Sequence, residues 1–339
     1  MSQKYIAGSD IGGTWIRVAL SPYNLGEKEI NVKRRKNPKE SIYSVSNTVN
    51  ELLADLLKEN NVDRSQLLGI GIASAGPLDV TEGIIFNNAN LGFREIPLRE
   101  PIQKEYPESP VYIVNDCVGA VLGVHYFEAD KEEKENLVYI TISTGVGGGV
   151  ICNGMLLLGK DGNAAEIGHA ILEPKSNIQC NCGAYGCWES ICSGTGVKKR
   201  AITGIKEGKV DASILLELID DDTSKITSKI VFEAAKKDDK LANEIVQKVL
   251  YFNKVGVGLV NTYYDCTSIY LGGGMLFGEK EILVPPLIKQ FEEEPIKFTI
   301  NNPPKIKVTS LGDEVGLKGA LALVKYKYEK KAVVQANLF

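Results

Sequence analysis

The sequence has almost no excess of charge. Its 39 Lys and Arg stand against 43 Asp and Glu in 339 residues, a formal net charge of −4. So small a negative balance offers no electrostatic face to nucleic acid or to an acidic membrane surface. The start of the chain also lacks a basic stretch followed by an apolar signal core, and no apolar run approaches the roughly 20 residues that cross a bilayer. A cytoplasmic protein with no membrane and no nucleic-acid partner is expected. No GxxxxGK[ST] phosphate loop occurs, and neither of the main glycine turns opens a helix as a dinucleotide fingerprint must. A disulfide framework is excluded too. Of seven cysteines, Cys180, Cys182 and Cys187 cluster, while Cys117, Cys152, Cys192 and Cys266 are scattered. That pattern reads as reduced thiols plus one metal site.

What is present is globular: 44% hydrophobic and 24% charged residues, in a chain long enough for two domains with a cleft for a small molecule. "KYIAGSDIGGTWIRVALS" reads as a strand, a glycine turn and a returning strand, and "ENLVYITISTGVGGGVICNGML" repeats that layout, which suggests two similar α/β halves. Between them, Val45, Val49, Leu52, Leu53, Leu56 and Leu57 recur at helical spacing. "LLGIGIASAGPLD" is a buried strand, and "SPVYIVNDCVGAVLGVHYF" a strand whose end opens a helix. A long helix follows in "LANEIVQKVLYFNKVGVGLVNTYY", then a strand broken by glycines in "SIYLGGGML" and a closing helix in "EVGLKGALALVKYKYEKK". The last residues, "AVVQANLF", read as a loose tail.

Glycines at a strand-to-strand turn let backbone N–H groups converge on phosphate oxygens; they serve equally in a tight hairpin that needs positive φ. Asp10 weights the first turn toward a ligand, because a carboxylate ending a buried strand beside two glycines and Thr14 is costly to desolvate without a cation or donors. Magnesium bridged by nucleotide phosphates suits it. The glycines Gly272 to Gly274 either admit a nucleotide or serve close packing. Asp116, where a strand ends and a helix begins, is either a helix cap or a general base facing a ligand crevice. In phosphoryl transfer such a carboxylate accepts the proton of the attacking hydroxyl.

The stretch "EIGHAILEPKSNIQCNCGAYGCWES" supplies three thiols and the imidazole of His169, a closed tetrahedral set suited to structural zinc. Glu166 lies three residues before His169 and Glu189 two after Cys187. A metal there would hold two carboxylates and an imidazole together, which suits a polyol. Both glutamates would otherwise read as solvated surface acids.

These residues together resemble the ROK family (repressor, open reading frame, kinase) of the hexokinase and actin-like superfamily. The resemblance rests on "DIGGT", "ASAGPLD", "NANLGF", "VND", "STGVGGGV", "EIGH", "CNCGAYGCWE", "LGGGM" and "GLKGAL". It implies an α/β protein of two ribonuclease-H-like (actin/hexokinase-type) domains flanking a cleft, with a structural zinc clip. The division expected is residues 1–117 and 118–313, with a helix at about 314–331 packing back on the first domain. By the same resemblance Asp116 is the catalytic base, and Gly76, Asn90, Asn115, Glu166, His169 and Glu189 contact the sugar. Asp10, Gly12, Gly13 and Thr14 form a first phosphate segment, Thr144, Gly145 and Gly147 a second, and Gly273 and Gly274 an adenosine segment. His169, Cys180, Cys182 and Cys187 ligate Zn²⁺, and ATP with Mg²⁺ is the phosphoryl donor.

The expected activity is an ATP-dependent hexose 6-kinase, most simply a glucokinase; an N-acetylmannosamine or N-acetylglucosamine kinase shares the mechanism. Gly92 and Phe93 replace the Pro and Trp of many glucose-specific members, which leaves the sugar open. The helix after Asp116 reads "CVGAVLG", a departure that concerns packing more than chemistry, and Trp15 stands where a polar residue is common. A sugar-responsive repressor would need a DNA-binding segment before the first strand, and a non-catalytic sugar sensor would need vestigial phosphate turns. A homodimer or higher homo-oligomer is the expected assembly.

Overall fold

A computed structural model describes residues 3–26, 29–86, 92–208, 210–293 and 302–336. The chain divides into two compact units, one formed by residues up to Asp130, Leu156–Ala164 and the chain from Asp313 on, the other by Lys131–Met155 and Ala165–Gly312.

The first unit holds β1 (Tyr5–Ile11), β2 (Trp15–Pro22), β3 (Asn31–Lys36), α1 (Ser44–Glu59), β4 (Leu67–Ser74), β5 (Leu78–Asp79), β6 (Ile84–Phe86), β7 (Glu95–Pro97), α2 (Arg99–Glu105), β8 (Val111–Asn115) and α3 (Asp116–Phe127). Five strands form one sheet in the order β3-β2-β1-β4-β8, and β5-β6-β7 form a small antiparallel one. β1, β2 and β3 pair antiparallel, whereas β4 runs parallel to both β1 and β8. The carboxyl ends of β1, β4 and β8 therefore emerge on one side, where open α/β sheets bind ligands. The helical spacing expected after residue 44 is realised: Val45, Val49, Leu52, Leu53, Leu56 and Leu57 of α1 are all buried, in one core with Ile11, Ile16, Val18 and Ile72.

In the second unit are β9 (Leu137–Ile142), β10 (Val146–Cys152), β11 (Met155–Leu156, whose last residue belongs to the first unit), α4 (Trp188–Cys192), α5 (Gly194–Glu207), α6 (Ser213–Leu218), α7 (Ser228–Lys236), α8 (Lys240–Tyr264), β12 (Ser268–Gly272), α9 (Gly274–Gly278), α10 (Lys280–Leu283), α11 (Pro285–Glu292) and β13 (Lys305–Val308). Its sheet order is β11-β10-β9-β12-β13, with β9 and β10 antiparallel and β12 parallel to β9 and β13. Each sheet is thus built on a central hairpin followed by two parallel strands, as the repeated strand, glycine turn and strand suggested.

The closing helix α12 (Val315–Ala336) packs on β1, β4 and α3 within the first unit. It runs beyond the expected end near residue 331, so the part of the supposed loose tail up to Ala336 is helical. α12 and α3 meet backbone to backbone. A Cβ added at Gly319 would lie 1.9 Å from the Gly119 carbonyl oxygen, and one at Gly123 would lie 2.6 Å from that of Val315. No side chain fits at either contact, and a Cβ at Gly119 would lie 2.8 Å from that of Ala73, which gives both glycines of "CVGAVLG" a packing cause. The division expected after residue 117 falls inside α3, whose contacts with α12 keep the whole helix in the first unit, as far as Asp130.

Candidate active site

In the first unit the β1–β2 turn brings Gly12, Gly13 and Thr14 to the carboxyl end of β1. The Gly12 amide donates to the Trp15 carbonyl at 3.0 Å. Asn37, just past β3, clasps the turn from outside: its side-chain amide donates to the Gly12 carbonyl at 2.8 Å and its backbone amide to the Thr14 carbonyl at 2.8 Å. Gly12 does not adopt positive φ, and a Cβ there would meet nothing nearer than the Trp15 carbonyl at 3.5 Å. Hairpin geometry does not require a glycine at this position.

Asp10 pairs with Arg17 across the hairpin. The Arg17 guanidinium stands 4.0 Å from the Asp10 carboxylate and donates to the Asp313 carbonyl at 2.5 Å. Burial pushes the Asp10 pKa up to about 6; Arg17 opposes the rise, and Asp116 and Asp313 add to it. A carboxylate so poorly satisfied is poised to accept a cation. Sequence reading missed Arg17 and Asp313. The pairing of Ile11 with Ile16 around the turn sets position 17 opposite Asp10, so Arg17 was within reach of the pattern.

At the end of β8, Asn115 rather than Asp116 is the N-cap residue of α3, and Asp116 is the first helical position. The Cys117 amide donates to both side chains, at 2.9 Å to Asn115 Oδ1 and 2.8 Å to Asp116 Oδ1. Burial raises the Asp116 pKa, with the Cys117 hydrogen bond opposing. Desolvation therefore strengthens it as a base instead of the helix quenching it. Gly76, beyond β4, is close by: a Cβ on it would lie 3.8 Å from Asn115 Nδ2. Asn90 lies outside the described residues.

In the second unit the β9–β10 turn carries Thr144 and Gly145, Gly147 follows in β10 opposite Thr141, and the carboxyl end of β12 leads into Gly273 and Gly274. Ser143 joins them: its Oγ accepts from the Gly274 amide at 3.3 Å and its carbonyl from the Gly194 amide at 2.7 Å. The Thr195 amide donates to the Thr144 carbonyl at 3.3 Å, so the start of α5 belongs to this cluster. Neither Ser143 nor the α5 start was read as functional from sequence, although "SGTG" carries the same Ser, Thr and Gly composition as the turn. Gly273, at φ 102°, packs on β9, where a Cβ would fall 2.6 Å from the Ile142 carbonyl.

His169, Cys180, Cys182 and Cys187 come together, with one ligand atom from each within 4.8 Å of all the others. His169 Nδ1 is 3.8 Å from Cys180 Sγ, and Cys182 Sγ is 3.6 Å from Cys187 Sγ. His169 Nε2 faces away from the thiols, 3.9 Å from Glu166. Gly168 is forced by packing, since a Cβ would lie 1.9 Å from the Val146 carbonyl. The cluster is anchored by Glu173, which pairs with Arg200 of α5 at 3.0 Å and with Lys248 of α8. Burial alone would raise the Glu173 pKa, but the two cations hold it below the usual carboxylate range.

Glu189 bridges this cluster to the β9–β10 turn. Its Oε2 accepts from the Val146 amide at 3.1 Å, and its Oε1 is 3.5 Å from Cys180 Sγ. The carboxylate occupies the place a Gly145 side chain would take, 2.4 Å from an added Cβ.

The ROK family profile matches residues 6–327, and the chain belongs to that family. It is 31% identical to a glucokinase from Halalkalibacterium halodurans over 325 residues, 96% of each chain. It is 29% identical to an N-acetylmannosamine kinase from Haemophilus influenzae, covering 93% of this chain and 94% of that one. Among solved structures, a ROK family glucokinase from Streptomyces griseus in complex with glucose and AMPPNP superposes with a TM-score of 0.70 at 26% identity, over 94% and 98% of the two chains.

Proposed function

We propose that this chain is an ATP-dependent hexose 6-kinase, in the simplest case a glucokinase converting glucose and ATP to glucose 6-phosphate and ADP. The observation that carries the reading is Asp116: a desolvated carboxylate with a raised pKa, at the carboxyl end of a parallel strand. It accepts the proton of the sugar's 6-hydroxyl as the oxygen attacks the γ-phosphorus. The sugar is assigned to Gly76, Asn90, Asn115, Asp116, Glu166, His169 and Glu189. The phosphates are assigned to Gly12, Gly13 and Thr14 and to Thr144, Gly145 and Gly147, and the adenosine to Gly273 and Gly274. Open space at Gly12 supports this assignment, because backbone amides there can approach an anion without a side chain between. Magnesium entering with ATP would be held through water by Asp10 and would neutralise charge on the phosphates.

The Cys and His cluster fits zinc. Ligands about 2.3 Å from a tetrahedral centre stand roughly 3.8 Å apart, in line with the spacing found here. With four protein ligands the metal has no open position, so its role is to fix His169 beside Glu166 and Cys180 beside Glu189. A cytoplasmic homodimer or higher homo-oligomer is the assembly we assign. The exposed Tyr251 and Tyr263 of α8, 63% and 68% accessible, offer apolar surface to a second copy, and no described helix is long and apolar enough to cross a membrane. The test is ³¹P NMR of the product from glucose and MgATP. Phosphate on the 6-oxygen is expected; no transfer to any hexose would overturn the reading.

A further inference from the structure

We propose that the first unit carries a second, non-catalytic site for a small oxyanion, a phosphate or carboxylate group. It lies in a cavity of about 130 Å³ walled by Val80, Arg99, Tyr112, Leu158, Gly162 and Lys327. None of these residues takes part in the chemistry assigned above. A single water needs roughly 10–15 Å³ of such space, so the cavity holds a group of several non-hydrogen atoms.

The lining sets the sign of the occupant. Two of its side chains, Arg99 and Lys327, are cationic, and no residue of the lining is acidic. The terminal nitrogens of Arg99 donate to the carbonyls of Val80, at 2.8 Å, and Thr81. Its Nε is buried without a hydrogen-bond partner, and among the described residues no carboxylate pairs with it. Two carbonyls satisfy N–H groups but leave the charge uncompensated. A partly buried guanidinium in that condition favours an anion beside it, and its planar fork suits a phosphate or carboxylate.

Position gives the site a consequence. Arg99 is locked to the 79–83 turn, since the amides of Leu98 and Arg99 both donate to the Gly83 carbonyl and Arg99 itself caps Val80 and Thr81. Tyr112, Ile113 and Val114 form another wall, and β8 runs on from them directly into Asn115 and Asp116. Lys327 comes from α12. An anion held here ties the turn, β8 and α12 together at the base of the strand that presents Asp116, and so couples its own binding to the geometry of the sugar groups.

The site does not depend on the kinase reading, and its test reads binding alone. Calorimetric titration with inorganic phosphate, and separately with acetate, is run on the full chain saturated with AMPPNP, magnesium and glucose, and again without them. One oxyanion per chain is expected in both conditions. Arg99→Met and Lys327→Met each weaken it tenfold or more, while Arg99→Lys retains part of it, which a collapsed turn would not. Leu158→Trp, which fills the cavity, abolishes it. Preference for phosphate assigns a phosphorylated ligand, and preference for acetate a carboxylate. Binding that vanishes under AMPPNP and is unchanged in the Arg99 and Lys327 variants would place the anion in the nucleotide segment and overturn the proposal, as would no binding of either probe.

Discussion

The two glycine turns look alike in sequence and differ in what makes them glycine. At Gly12 nothing would touch an added Cβ before 3.5 Å, while at Gly145 the same atom would sit 2.4 Å from the Glu189 carboxylate. The first turn leaves its space open beside a desolvated acid, Asp10; the second has filled its space with an acid of its own unit. The same strand, glycine turn and strand pattern thus leaves room beside its glycine in one unit and seats a carboxylate against it in the other.

The largest effect should come from the acid that the first unit leaves desolvated. Asp116→Asn keeps the size and the hydrogen bond from Cys117 but cannot accept a proton. We expect kcat to fall by about 10²–10⁴ with glucose binding still measurable by calorimetry; near-normal turnover would remove the base. Because burial raises the Asp116 pKa, activity should also be lost on acidification at a higher pH than an unperturbed carboxylate allows, with the protonated form inactive.

Next in size, the glycine pair should separate the two turns. Gly12→Ala is expected to raise KM for ATP about tenfold, an effect of about 1.4 kcal/mol, and to leave the melting temperature unchanged. Gly145→Ala should push the Glu189 carboxylate aside and so raise KM for the sugar as well as for ATP. Equal effects of both variants on ATP alone would erase the distinction. Cys182→Ser tests the support beneath Glu189: metal content should drop and sugar affinity with it, whereas full metal content and unchanged affinity would sever the link.

The last effect is on stability rather than on a kinetic constant. Asp10 binds its proton more tightly in the native state, with a pKa of about 6, than in the unfolded chain, where 3.8 applies. Its burden is therefore absent at low pH, grows as pH rises from about 4 to 6, and is fully present at neutrality. Asp10→Asn should raise the melting temperature at pH 7 and not at pH 4, by an amount equivalent to at most about 3 kcal/mol, while impairing turnover. Loss of stability at pH 7 would mean that Asp10 is better compensated than its surroundings indicate.

Sequence legibility followed the same divide. Both hairpins, α1, β4, β8, the long α8 and the Cys and His cluster were readable because apolar periodicity or ligand-like spacing announces them. β3 was not: "NVKRRK" has no apolar alternation. In the sheet its Lys33 and Arg35 meet Glu59 and Glu51 of α1, while Arg34 stacks over Trp15 at 5.0 Å. Charge pairing across strand and helix takes the place of a hydrophobic face, and Trp15 finds its explanation there. The roles of Arg17, Asp313 and Ser143 depend on contacts between segments far apart in the chain, as the 2.5 Å bond from Arg17 to Asp313 shows. Glu189 was singled out, but its seat under Gly145 needed coordinates.

The most direct test is coupled ADP release with MgATP against glucose, mannose, fructose, N-acetylglucosamine and N-acetylmannosamine. Turnover with the highest kcat/KM on glucose is the expected result. A preference for an acetamido sugar would keep the mechanism and change the substrate, and no turnover on any of the five would contradict the kinase account.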